Sequence, residues 1–408
     1  MSERPLLLLV GIGYEPHRGY LLRSIAQTTD VWLLDHEPVT WEAPYVIGGT
    51  AVDIRDGAAL LAAAEDVARS RHVDGVLCWD ELKMANTARV AQRLGLPGVS
   101  PDVIDRCRDK HRTRTLLAAA GVPQPRSILV GSPAAAGEAA DRIGYPVVLK
   151  PRALGASMGV TLVGRPDELP AAYDHTRAQH VDQARYYDAG VLVEQYADGP
   201  EYSVDSAVVD GVVTPLFLAR KTSGFPPYFE EVGHVVAGAD PLLADPELRR
   251  HLAMAHEALG FDSGMTHIEL RRTPTGWSVI EVNCRLGGDL IPFLGLEATG
   301  VDAGQIAAAV ACGRTPRLTG DPDRAVAAVR FFYPDTAIVV GEVRIDKSML
   351  PPGTVLAAPL AEPGTEVAPP PVGHVWGRYA MVVVRGTSIG ECQARLATAA
   401  AAVSLRPR

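Results

Sequence analysis

The sequence predicts an α/β amino-terminal unit followed by a larger α+β body, and three observations predict it. Over the first hundred residues, short apolar runs alternate with segments of helical spacing. From about residue 146 to 282, strand-like runs come in adjacent pairs joined by turns. The chain has 408 residues at 47% hydrophobic content, enough core for two or three domains.

In the first unit, Leu6 to Val10, Val31 to Leu34 and Val73 to Trp79 read as strands. Helices are expected near Gly19 to Gln27 and around Ala58 to Arg71, where Leu60, Ala64, Val67 and Ala68 recur at helical spacing. A βαβ order of this kind implies a parallel sheet. Gly11-Ile-Gly13 after the first strand invites a dinucleotide-binding reading, but Pro16 stands where the third glycine belongs. A tight strand-to-helix turn is the plainer reading.

Leu94-Gly-Leu-Pro-Gly98 and Ser100-Pro101 read as a turn-rich joint, followed by a helix from Asp109 to Ala120 that Gly121-Val-Pro-Gln-Pro125 ends. Strands are then expected at Pro146 to Lys150, Val160 to Val163, Val191 to Tyr196, Tyr202 to Val209, Val212 to Phe217, His267 to Arg271 and Trp277 to Val282. Asp210-Gly211 and Pro274-Thr-Gly276 supply hairpin turns. Asp245 to Leu259 carries helical spacing and stops at Gly260; Gly304 to Val310 continues an apolar helix. Further strands are expected at Ala327 to Tyr333 and Tyr379 to Val384, with Ile389 to Val403 as a closing helix.

Composition excludes several classes. A net charge of -9 without clustered Lys and Arg argues against a nucleic-acid partner. The run Leu6 to Val10 is far too short to span a membrane or to serve as a secretory signal. Five scattered cysteines show neither zinc-ligand spacing nor a disulfide framework, so a reduced cytoplasmic location is expected.

The chemistry concentrates in His267-Ile-Glu269 and Ile280-Glu281-Val-Asn283-Cys-Arg285, followed by Gly287-Gly288. Residues two apart on a strand share a face, so Glu281, Asn283 and Arg285 point one way and a hairpin brings Glu269 alongside. Two carboxylates and a carboxamide make an all-oxygen set suited to Mg2+ beside nucleotide phosphates. Arg285 adds a planar fork for a carboxylate or phosphoryl group. The plain alternative is the polar face of a solvated sheet.

Lys150 closes an apolar run and leads into the small-residue loop Gly155-Ala-Ser157-Met158-Gly159. Such a loop lets backbone N–H groups approach phosphate oxygens, with the lysine as a point charge; it is not a P-loop, and the plain alternative is a hairpin turn. Val191-Leu-Val-Glu194-Gln-Tyr196-Ala197 delivers an acidic residue to a short segment whose backbone suits an adenine edge, and Glu201 suits ribose hydroxyls.

In this order, with Lys110 in Arg-Asp-Lys ahead of them, these pieces resemble the ATP-grasp superfamily over nearly the whole chain. The segment Pro226-Pro-Tyr-Phe-Glu-Glu231-Val-Gly-His234 resembles the substrate loop of the carboxylate-amine ligase branch, which includes L-amino acid ligases and dipeptide synthetases. The resemblance implies an ATP-grasp fold: a Rossmann-like parallel-sheet domain at 1–108, a small lid subdomain at 109–190, and an antiparallel-sheet catalytic domain at 191–408 with a C-terminal subdomain from about 325.

It also implies roles. Lys110 and Lys150 hold the nucleotide phosphates, the loop from Gly155 through Ser157 and Met158 to Gly159 closes over them, Glu194, Tyr196 and Ala197 frame adenine, and Glu201 takes the ribose. Glu269, Glu281 and Asn283 hold two Mg2+ ions, for which Mn2+ can substitute. Arg285 with Gly287 and Gly288 fixes the substrate carboxylate or the oxyanion, and Glu231 and His234 lie beside the substrates. His234 has a structural histidine in a loop as its alternative, and Asp289 either pairs with an amine or basic side chain or caps the helix before Ile291-Pro292.

The implied reaction activates a carboxylate, an amino acid's by resemblance, as an acyl phosphate and couples it to an amine with release of ADP and phosphate. The competing readings are a carboxylase-type member that activates bicarbonate and a nucleotide-binding scaffold without turnover; the latter predicts lost metal ligands, and all three are present. Partners are small-molecule carboxylates and amines, with a homodimer expected by analogy.

Overall fold

The computed structural model describes residues 4–179, 190–318, 320 and 325–408. Residues 180–189, within the expected lid, lie outside the described residues.

The first unit is a four-stranded parallel sheet ordered Gly48–Ala51, Asp30–Asp35, Leu6–Val10, Gly75–Leu77. Leu6–Val10 is wholly buried because it is central and covered on both faces, as a continuous apolar run requires. Gly11 and Gly13 take φ of +69° and +77° and turn the chain into the helix Glu15–Ile25, whose first turn accommodates Pro16. The tight-turn reading therefore holds.

The small sheet is antiparallel, ordered Ser127–Val130, Val191–Gln195, Val147–Pro151, Thr161–Val163, with the helices Pro133–Ile143 and Leu169–Ala178 packed on it. Val191–Gln195 pairs on both sides within this sheet, so the expected boundary at 190/191 is misplaced: the lid sheet extends through Gln195.

The large antiparallel sheet has eight strands, ordered Gly276–Asn283, Gly264–Thr273, Glu201–Val209, Val212–Gly224, Glu230–Ala237, Val326–Phe332, Ala380–Gly386, Thr354–Pro359. One face gives Val204, Val208 and Leu218 to a core shared with the helix Pro246–Leu259. The other gives Ala207, Phe217 and Ala219 to the helices Ile291–Thr299 and Ala303–Ala311. By strand alternation this second face also carries Ser203, Asp205, His267 and Glu269, further along the strands. The site thus grows from the end of a packed sheet. Among the described residues no helix is long and apolar enough to cross a membrane.

Three local expectations change. Ser100-Pro101 starts a helix, Pro101–Arg108, because the Ser100 hydroxyl accepts from the Val103 N–H and proline suits the first turn. The closing helix stops at Ala399, and Val403–Pro407 pairs antiparallel with Ile338–Ile345. The segment expected as a substrate loop contains the strand Glu230–Ala237, held between Val212–Gly224 and Val326–Phe332.

The helix Pro246–Leu259 is capped by Asp245, which accepts from the Glu247 N–H at 2.9 Å and from Trp277 Nε1 at 2.9 Å. Asp245→Ala is expected to cost about 1–2 kcal/mol in a denaturant titration, and Asp245→Asn most of that less, since it keeps a capping oxygen.

Candidate active site

The hairpin places Glu269 opposite Glu281 and His267 opposite Asn283, as strand alternation predicts. His267 Nδ1 lies 2.5 Å from Asp205 Oδ1, and its Nε2 lies 3.5 Å from Glu269. Burial favours neutral imidazole, but Asp205 and Glu269 outweigh it and raise His267 to about 9. Glu281 meets Lys110 Nζ at 3.0 Å, and the same ammonium donates to the Leu154 carbonyl at 2.5 Å. Asn283 is buried at the strand end.

Arg285 does not wait free: its Nε donates to Glu81 at 2.8 Å, which fixes the guanidinium's orientation. Gly287 also departs from expectation. Its N–H donates to Asp205 Oδ2 at 2.9 Å, and a Cβ there would sit 2.8 Å from His267 Nδ1, so this amide supports the His267–Asp205 pair and is unavailable to an oxyanion. Gly288 has open space around it.

Beside the hairpin a cleft of about 740 Å³ runs between the two antiparallel sheets, lined among others by Lys110, Lys150, Ser157, Tyr196, Glu201 and Glu281. In the glycine loop Ala156 and Ser157 both adopt left-handed φ, and Ser157 Oγ donates to the Phe229 carbonyl at 3.1 Å. Gly159 also has positive φ, with Pro151 and Gln179 against its Cα; Gly155 lines the cleft and Met158 an adjoining chamber.

Glu194 is paired on the strand Val191–Gln195. Its carboxylate receives Arg114 through Nε and Nη2 at 2.7 and 3.0 Å and Lys150 at 2.6 Å, so it stands in an ion cluster on the wall of the cleft. Burial alone would raise Glu194; Arg114 and Lys150 overcome it and hold the carboxyl down at about 2. Burial, aided by Arg114 and Lys110, pulls Lys150 down to about 8 in spite of Glu194. A carboxyl depressed on folding gives stability that is present above its unfolded pKa near 4.5 and lost as pH falls toward 2. The stability gap between the parent and Glu194→Gln is therefore expected to narrow below pH about 4.5 in urea titrations across the acid range.

Tyr196 and Ala197 are tied to Arg271, whose Nη1 lies 3.3 Å from the Tyr196 hydroxyl and 3.3 Å from the Ala197 carbonyl. Arg271 also donates to Glu201 at 2.9 and 2.6 Å and lies over the Phe229 ring. Glu201 thus reaches the cleft already paired.

The strand Glu230–Ala237 brings Glu231 and His234 to one face although they are three apart. Lys221 opposes His234, Thr222 opposes Gly233, and Ser223 opposes Glu231, so Val232 is the extra residue of a bulge and restores the facing. Gly233 is required there, because a Cβ would stand 2.5 Å from the Val329 carbonyl. Lys221 Nζ, buried, sits 2.5 Å from Glu231, 3.1 Å from Glu201 and 3.1 Å from Glu269. Burial lowers a lysine, yet three carboxylates hold this one well above its ordinary value.

His234 Nε2 lies 3.3 Å from Glu231 and 3.5 Å from Asp289. Burial is outweighed by these two carboxylates, which raise it. Asp289 is no helix cap: Leu290 occupies that position, and both Asp289 oxygens receive Arg378, at 2.7 and 2.8 Å. Burial would raise Asp289, but Arg378 and His234 hold it well below the ordinary carboxylate range.

Lys221, Asp205, Arg114 and Glu81 escaped the sequence reading. Arg114 carried a signal, standing one helical turn after Lys110 on the same face.

Residues 143–292 match the family model described as ATP-grasp domain. The chain is 28% identical over 272 residues to alanine–anticapsin ligase of Bacillus subtilis, covering 60% of this chain and 55% of that protein. It is 33% identical over 255 residues to an uncharacterised protein of Sinorhizobium fredii, covering 62% and 51%. The chain thus spans about half the length of these curated relatives. Its fold superposes on the L-amino acid ligase of Bacillus licheniformis with a TM-score of 0.81 over 100% of both chains at 20% identity. It superposes on the phosphoribosylglycinamide synthetase of Anaerococcus prevotii with a TM-score of 0.73, also over 100% of both, at 15% identity. Residues 143–292 are similar to the ATP-grasp domain, and with parallel, small antiparallel and large antiparallel sheets in this order the chain has an ATP-grasp fold.

Proposed function

We propose that the chain is an ADP-forming carboxylate-amine ligase that activates an amino acid's carboxylate as an acyl phosphate and passes the acyl group to an amine. The observation that carries this reading is the junction of two spaces. The nucleotide cleft and a second chamber of about 830 Å³ share Lys110, Gly155 and Glu281, and the second chamber holds Arg285. A transferable phosphate and a carboxylate held by Arg285 meet at that junction.

Lys150 and Lys110 supply positive charge to the phosphates, and the loop Gly155 to Gly159 excludes water from an acyl phosphate that would otherwise hydrolyse. Arg285, oriented by Glu81, takes the carboxylate bidentately. Glu231, ionised beside Lys221 and His234, accepts from the amine. Glu269, Glu281 and Asn283 fit a hard cation: an all-oxygen set whose two carboxylates are register partners. We assign two Mg2+ ions to them, replaceable by Mn2+, which when bound neutralise charge on the transferring phosphoryl group.

The test is a matrix of paired amino acids scored for phosphate release, with mass spectrometry of the product. The expected result is phosphate release that requires amino acids and yields a condensed product. Release with bicarbonate and with no amino-acid pair would transfer the chain to the carboxylase reading.

A further inference from the structure

We propose that Trp376 is a specificity-determining wall of the amino-acid chamber, and that the amino acid held there bears a large apolar or aromatic side chain. What enters the chamber rests on the ligase reading; the part played by the ring rests on separate observations.

Trp376 is 65% exposed, whereas Trp32, Trp41, Trp79 and Trp277 are buried or half-buried. Trp376 borders the second chamber together with the glycine loop. The part shared with the nucleotide cleft offers Lys110 and Glu281, and the rest of the lining sets Leu82, Met158 and Trp376 beside the charged Asp80, Glu81, Arg108 and Arg285, which are paired with one another in part, Arg285 and Arg108 with Glu81. An amino acid whose reacting carboxylate lies at Arg285 and Lys110 has Leu82, Met158 and Trp376 as the apolar surface open to its side chain.

The ring is also held on a rigid mount. It lies in the short turn His374–Gly377, where His374 adopts φ of +42°, a conformation that only firm surroundings maintain. Gly373 and Gly377 are pressed against the Ala368 carbonyl so closely that a Cβ on either would overlap it. The next side chain, Arg378, is 2% exposed; it grips Asp289, donates to the Glu231 carbonyl at 2.8 Å and to the Tyr333 hydroxyl at 2.7 Å. The turn presenting Trp376 is thereby fixed to the same strand and loop that carry Glu231 and Asp289. Exposure on a fixed mount at a chamber wall is the arrangement of a contact surface and not of a loose loop.

The experiment compares the parent with Trp376→Ala and Trp376→Phe, varying alanine, leucine and phenylalanine against a fixed partner amino acid. Trp376→Ala is expected to raise KM for leucine and phenylalanine by about tenfold or more, to leave alanine within about twofold, and to leave the KM for ATP unchanged. Trp376→Phe restores most of the loss. Calorimetry of leucine and alanine binding, with Mg2+ and a non-hydrolysable ATP analogue, reads the same preference without turnover. Equal loss for alanine and leucine, or no loss, overturns the proposal. So does a change in sedimentation with unchanged binding, which would assign the ring to a contact between chains. If no amino-acid pair releases phosphate from the parent, the ligase reading fails on its own; the Trp376 proposal is then decided by calorimetry, and absence of leucine binding by the parent overturns it.

Discussion

Replacing Glu281 by glutamine is expected to lower amino-acid-dependent phosphate release on the order of 10²–10³-fold while the protein still folds. Glutamine keeps the size and one oxygen but removes the charge that Glu281 contributes next to Glu269. In the parent Glu281 is also the ion partner of Lys110, at 3.0 Å, and it is one of the residues at which the cleft and the second chamber meet. Both consequences converge on the transferring phosphate: a weaker hold on a cation and a lysine without its guide. Thermal unfolding is expected to shift by a few degrees only, because glutamine keeps the shape and Lys110 retains the Leu154 carbonyl. Unchanged turnover would overturn the metal assignment. A raised Mg2+ requirement in the variant would support it further.

Replacing Lys221 by methionine is expected to cost stability, about 3–5 kcal/mol, since it removes the one charge shared by three carboxylates and leaves them to Arg271, His234 and His267 alone. Glu201, Glu231 and Glu269 all lie within 3.1 Å of the ammonium, and no other lysine can take its place on that strand. The pH dependence follows from sign. Lys221 helps to hold Glu231 and Glu269 below their ordinary value of 4.5, so its contribution is present above that pH and fades as they protonate. The deficit of Lys221→Met should therefore be largest near neutrality and shrink below pH about 4.5. Lys221→Arg, which keeps the charge, should recover part of it. Urea titrations at pH 7 and pH 4 decide the matter, and a deficit independent of pH would argue for lost packing in place of lost charge.

Most elements were legible because their signals are local. Leu60, Ala64 and Val67 fall on one helical face, Asp210-Gly211 supplies the left-handed turn its hairpin needs, and the Glu269–Glu281 pairing follows from alternation on two strands joined by a short turn. What was not legible depends on partners far away in the chain. The strand character of Glu230–Ala237 comes from being held between two neighbours, and its bulge is set against Thr222 and Ser223. Arg378 reaches Asp289 across 89 positions, and Arg285 reaches Glu81 across 204. The strand of Glu194 is legible, but its pairing with Arg114 comes from a different element. Sequence pattern shows which faces are polar; it does not show which polar groups have already found one another.

The extra residue at Val232 behaves like a change of reading frame within a strand. Up to Glu231 the chain is counted from the cleft; from Gly233 onward it is counted from the two flanking strands, with His234 set opposite both Lys221 and Val329. Removing that one residue would not merely shift Glu231 along. It would exchange inside and outside for one half of the strand, either turning His234 away from Glu231 or turning Val236 out of the core. A substitution at Glu231 or His234 is therefore a local edit, whereas a deletion between them rewrites the face, so the length of this short segment is as much a part of the site as its side chains.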